Sequence, residues 1–120
     1  SMKRDHKLYL KDIITACQDI QEFVKGMQYS QFLHDKKTIS AVIRQFEVIG
    51  VAAKHIPDPI KKGHAKIPWK DMTGMRDRLI HGYFGVDYHL VWDTIKDEVP
   101  KLLASIEQIL KEIEAWPNES

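Results

Sequence analysis

Cysteine is nearly absent: the 120-residue chain has one, Cys17. A lone thiol excludes an internal disulfide and fits a reducing cytoplasm. Cys17 also falls on the apolar face of the first helical pattern, which suits a buried, inert thiol better than a nucleophile. No apolar run approaches the roughly 20 residues needed to span a bilayer. No signal-peptide pattern precedes the first helix, so a cytoplasmic protein with no membrane contact is expected. His6, His34, His55, His64 and His89 lack any ligand-like grouping, so no metal is expected. There is no glycine-rich phosphate loop, and no cofactor is expected. Repeats, low-complexity tracts and period-two alternation are missing too, which removes solenoids and half-buried strands.

What is present is helical periodicity from end to end, read as one domain over residues 1–120 with Ser1-Met2 as a cloning remnant. The first helix is expected from Asp5 to Met27, with Leu10, Ile13, Ile14, Cys17, Ile20, Val24 and Met27 on one stripe. A linker follows over 28–37, with room for a short turn. Asp35 or Thr38 can cap a second helix whose seam is Ile39, Val42, Ile43, Phe46, Ile49 and Ala53. Pro57-Asp58-Pro59 ends it, and residues 58–67 form a basic connector. Pro68 suits the first turn of a third helix over Trp69–His81, with Gly82 and Gly85 at its exit. Asp87 can cap a fourth helix carrying Tyr88, Val91, Trp92 and Ile95. Pro100 opens or kinks the last one, with Leu102, Leu103, Ile106, Ile109, Leu110 and Ile113 inward. The expected fold is all-α, an up-down four-helix bundle with additional short helices.

The formal net charge of +1 conceals an asymmetry. Residues 1–53 carry +2, residues 54–86 carry +4 and residues 87–120 carry −5. The middle third is the electropositive one, as a phosphate-binding surface requires, although a solvated face beside a loop gives the same pattern.

That third also holds Arg76-Asp77-Arg78-Leu79-Ile80-His81-Gly82-Tyr83, which gathers a permanent cation, a carboxylate, an imidazole and a phenol near a helix end. On a helical projection Met72, Leu79 and Tyr83 lie on the apolar face, and Arg76 shares their sector. A guanidinium there must snorkel, pair with a carboxylate from another helix, or open onto a cleft. Asp77 and His81, four apart, would stack on one flank, so that the carboxylate holds the imidazole tautomer; a plain surface pair has the same spacing. Arg76 and His81 lie about 140° apart on a regular helix. To share a site they need a helix distorted near Gly82, or two copies that pool their residues about a two-fold axis. Tyr83-Phe84-Gly85 is a candidate part of that contact.

Arg76, Asp77, His81 and Tyr83 resemble the motif of the HepT toxins of the HEPN superfamily: Arg, a polar residue, then His-x-Tyr. The resemblance extends through Val48-Ile49-Gly50, Ile67-Pro68-Trp69, Met75, Leu79-Ile80, Gly82, Phe84, Val91-Trp92 and Val99-Pro100, which is nearly the whole chain. It implies an all-helical homodimer whose motifs line a shared cleft. The implied activity is that of a metal-independent endoribonuclease, the toxin of a toxin–antitoxin pair. The implied antitoxin is an MNT-type nucleotidyltransferase that silences it by moving AMP from ATP onto Tyr83. Many relatives place Glu after the Ile-Gly of the second helix, where this chain has Val51.

Those roles fit the residues. His81 would deprotonate a ribose 2′-hydroxyl, Arg76 would neutralise charge building on the phosphorus, and Asp77 would orient His81. Arg78, Lys70 and Lys66 would follow the RNA backbone. The alternative is a non-catalytic helical partner of the nucleotidyltransferase that presents Tyr83 without cutting RNA.

Overall fold

The structure is a computed structural model that describes residues 4–115. Ser1 and Met2 lie outside that range. The described chain is all-α, with helices α1 (His6–Phe23), α2 (Tyr29–Leu33), α3 (Lys36–Lys54), α4 (Asp58–Gly63), α5 (Trp69–Thr73), α6 (Met75–Leu79), α7 (Tyr88–Asp93) and α8 (Val99–Glu114). Among the described residues the one β-type pairing is an isolated antiparallel bridge between Ile80 and Val86. No described helix is long and apolar enough to cross a membrane.

Carboxylates start three of these elements. Asp5 accepts from the Lys7 N–H at 2.9 Å and opens α1. Asp35, rather than Thr38, caps α3, taking the Thr38 N–H at 3.0 Å and its hydroxyl at 2.8 Å. Those two bonds hold the Asp35 carboxyl below the usual carboxylate range. Helix α1 stops at Phe23, before Met27, because Gly26 turns the chain at a φ of +77°. The linker after it coils into α2, and most of the basic connector is the short helix α4, with Pro59 in its first turn.

Helix α1 packs on α3 along one flank and on α8 along the other. The seam residues Leu10, Ile13, Cys17, Ile20, Val42, Phe46, Ile49, Ile106 and Ile109 are buried together. Each large apolar side chain so enclosed contributes about 1.5–3 kcal/mol. Burial pushes the Cys17 thiol up to about 12, which keeps it protonated and unreactive.

The segments expected as a fourth and a last helix form one rod. Helix α7 runs through a π-helical turn, Thr94–Glu98, directly into α8. There the Val99 N–H reaches back five residues to the Thr94 carbonyl. The wide turn sits just ahead of Pro100, which has no N–H to give a regular helix.

The expected third helix is divided. Gly74 separates α5 from α6, with φ −94° and ψ 9°. Helix α5 lies so close on α3 that a Cβ at Gly50 would stand 3.1 Å from the Met72 carbonyl oxygen. A backbone carbonyl at that distance has no flexible end to move aside. Gly50→Val should therefore lower stability by about 1–3 kcal/mol in urea unfolding. Gly63→Ala, where nothing lies within 4 Å, serves as the neutral control. Equal stability of the two variants would mean the crossing tolerates a wider gap.

Candidate active site

Helix α6 is anchored by Met75 and Leu79, both buried, so Arg76, Asp77 and Arg78 project from its remaining faces. Arg76 turns toward α3, where its Nε stands 3.7 Å from Glu47 Oε2. The guanidinium thus pairs with a carboxylate from another helix while its side chain stays 56% exposed. So open a pair is worth about 0–1 kcal/mol, and an incoming anion can displace it. The two residues border a small cleft of about 190 Å³, with Gly50, Val51, Lys54 and Asp77. Glu47 lies four residues before Val51 on α3, one turn away on the same face of the helix.

The chain leaves helical geometry directly after Leu79: Ile80 is extended, at φ −120° and ψ 113°. Residues 81–85 then form a tight loop. The His81 N–H donates to the Gly85 carbonyl at 2.8 Å, and the Asp87 N–H donates to the Leu79 carbonyl at 2.8 Å. Gly82 and Gly85 take φ values of +48° and +84°, the left-handed region that favours glycine.

This loop corrects the expected arrangement of the site. Asp77 cannot stack beneath His81 as an i,i+4 neighbour, because no helix connects them; it lines the Arg76 cleft instead. The carboxylate beside His81 is Asp87, whose Oδ2 stands 3.4 Å from Nε2 of the half-exposed imidazole. Asp87 is also the cap of α7, its Oδ1 accepting from the Leu90 N–H at 3.1 Å. One carboxylate therefore caps the start of the rod and stands beside Nε2 of His81, which leaves Nδ1 of that ring free.

Tyr83 is not on an apolar helix face. It is fully exposed at the tip of the loop, and Phe84 beside it is 91% exposed, the two rings meeting edge to face at 6.0 Å. Arg78 points away from Arg76, toward the π turn, with Nη2 3.9 Å from Glu98 Oε2. Lys66 and Lys70 are exposed, before and on α5. Among the described residues no group of three or more His, Cys, Asp or Glu side chains is placed to hold a metal ion.

Two residues of this geometry escaped the sequence reading. Glu47 gave a faint signal, an acid on the same helical face as Val51. Asp87 was legible as a cap, but its contact with His81 depends on the loop closing. Asp87→Ala should cost about 1 kcal/mol of stability through the lost cap, whereas Asp87→Asn should stay within a few tenths. Urea unfolding of both variants checks this, and equal losses would remove the capping role.

The comparisons with known proteins agree on a family. The family description "Ribonuclease HepT-like" matches residues 13–109. A Thermococcus cleftensis protein named "Probable ribonuclease HepT" is 49% identical over 110 residues, covering 92% of this chain and all of that relative. A Methanocaldococcus jannaschii protein named "Putative RNase MJ1216" is 48% identical over 118 residues, 98% of each chain. No solved structure matches. On a match that takes in α3, the Arg76 cleft and the His81 loop together, the chain belongs to the ribonuclease HepT-like family.

Proposed function

We propose that this protein is a metal-independent endoribonuclease and the toxin of a toxin–antitoxin pair. The observation that carries the reading is the His81–Asp87 contact at 3.4 Å on a solvent-facing loop, next in the chain to a helix that holds Arg76 only loosely. The family membership and the names of the relatives point the same way.

In this mechanism the imidazole of His81 removes the proton from a ribose 2′-hydroxyl. The 2′-oxygen attacks the adjacent phosphorus, the P–O5′ bond breaks, and the 5′-oxygen leaves with a proton from solvent. The products are a 2′,3′-cyclic phosphate and a 5′-hydroxyl. Arg76 exchanges Glu47 for the phosphate as negative charge builds on it. Asp87 holds the His81 ring and stabilises the imidazolium formed after proton abstraction. Asp77 stays within the Arg76 cleft, where it tunes the guanidinium rather than the imidazole. Arg78, Lys70 and Lys66 contribute contacts to the RNA backbone that weaken with salt.

Arg76 and His81 turn to different neighbours, α3 and the start of α7. A homodimer in the cytoplasm resolves that separation, because a two-fold axis can bring Arg76 of one copy to His81 of the other. The exposed Tyr83–Phe84 tip is suited to such a contact. Silencing follows from the same exposure: the Tyr83 oxygen attacks the α-phosphorus of ATP held by an MNT-type nucleotidyltransferase, pyrophosphate leaves, and the AMP ester places an anion where RNA would bind.

One observation favours a second reading. A fully exposed tyrosine suits a protein that serves only as partner and substrate of the nucleotidyltransferase. The two readings separate in a cleavage assay on total RNA in EDTA, with protein shown by mass to be unmodified at Tyr83. Wild type should cut and leave cyclic-phosphate ends. His81→Ala should lose about 10²–10⁴-fold in rate, and Asp87→Asn should lose more than Asp77→Asn. Absence of cutting by unmodified wild type would move the assignment to the partner reading.

A further inference from the structure

The loop of residues 81–85 displays more than His81. At its tip Tyr83 is fully exposed and Phe84 is 91% exposed. The tyrosine carries a hydroxyl that water satisfies, but the phenylalanine has no polar atom, and its ring gains nothing from solvent. Its backbone is nevertheless held. The Phe84 N–H donates to the His81 carbonyl at 2.9 Å, and the Gly85 N–H donates to the Gly82 carbonyl at 3.3 Å. The bridge between Ile80 and Val86 closes the base of the loop. A Cβ at Gly82 or Gly85 would meet nothing within 4 Å, so the loop stands clear of the helices.

The rings leave faces open. Tyr83 and Phe84 meet at 89° with centroids 6.0 Å apart, so the edge of one ring covers a single face of the other. A ring carried on a hydrogen-bonded turn has little backbone freedom left to lose when a flat partner settles on it. Nucleobases are such partners. Every base has a π face, so stacking tolerates any sequence, and it requires a base that is not already enclosed in a duplex.

Position decides between the two occupants such a ring can have, a nucleobase or a second protein surface. Protein contacts centre on aromatic rings set among apolar neighbours inside a polar rim. Within the 81–85 loop Phe84 has only a histidine, two glycines and a phenol beside it. The group to which its N–H is bonded is the carbonyl of His81, the residue that addresses the ribose 2′-hydroxyl. We infer that Phe84 is a stacking platform that seats an unpaired nucleobase next to the scissile phosphate. This rests on the ribonuclease reading above and adds to its cationic contacts one that salt does not screen. In a homodimer the tip borders the shared cleft, and the RNA strand within that cleft is what the ring meets.

Phe84 lies outside the core, so its replacement leaves the helices intact. The test reads binding apart from cutting, on His81→Ala protein unmodified at Tyr83, a change that keeps the backbone bond to Phe84. The probe is a short oligouridine carrying one 2-aminopurine, a base whose fluorescence falls when it stacks. The expected result is a saturable quench, with binding weakened about tenfold by either Phe84→Ala or Phe84→Leu and restored by Phe84→Trp. Leucine keeps the apolar bulk and removes the π face. Phe23→Ala, at an exposed ring on the end of α1, should change nothing, and pairing the probe with its complement should abolish the quench. No quench, binding by Phe84→Leu equal to that of the parent, or equal quenching of the duplex would overturn the inference. A fall to monomer mass on Phe84→Ala, read by light scattering, would also overturn it and make a second copy of the chain the occupant. The ribonuclease reading is scored separately: wild type that cuts total RNA after such a failure leaves that reading standing.

Discussion

The structure depends on a missing side chain. Gly50 lets the backbone of α5 rest on α3, with the Met72 carbonyl oxygen 3.1 Å from where a Cβ would be. Everything after that crossing inherits its position. Helix α6 continues from α5 across Gly74, which brings Arg76 within reach of Glu47, only three residues from Gly50 along α3. Met75 and Leu79 then enter the core and settle which way the polar residues between them face. A wider crossing would keep the helices and lose the cleft.

Downstream of that crossing, the loop trades regularity for access. Ending α6 at Leu79 exposes polar backbone, and the loop recovers it through the His81–Gly85 and Asp87–Leu79 hydrogen bonds. What it gains is an imidazole outside the helix wall and two aromatic rings in solvent. Asp87 joins the loop to the rod: its two oxygens divide between the Leu90 N–H and the His81 ring. The carboxylate beside the histidine thus belongs to the start of the rod.

Much of this could be read beforehand, for physical reasons that differ by element. The seams of α1, α3 and α8 were plain because helical spacing of apolar residues carries its own period. Asp5, Asp35 and Asp87 announced helix starts through local hydrogen-bond chemistry. The site was legible in its residue types and less so in its geometry. Helical projection placed Tyr83 on the apolar face and Asp77 under His81. Both expectations assumed an unbroken helix from residue 69 onward, whereas Gly74 interrupts it, Ile80 leaves it extended, and Gly82 and Gly85 turn the loop that follows. Glycine marks where a backbone can bend without saying whether it does. Glu47 was hidden because its partner is almost thirty residues away, a relation only the packing of α3 against α6 creates.

The π turn in the rod has an effect on phase. A turn that takes in one surplus residue rotates everything beyond it by about 100° relative to an uninterrupted helix. Val91, Ile95, Val99, Leu102, Ile106 and Ile109 follow a single seam in the sequence, yet α7 packs against α2 and α6 whereas α8 packs against α1. The turn lets one apolar stripe address two sets of neighbours. Removing a single residue there would leave every side chain's chemistry intact and point half the rod at the wrong partner.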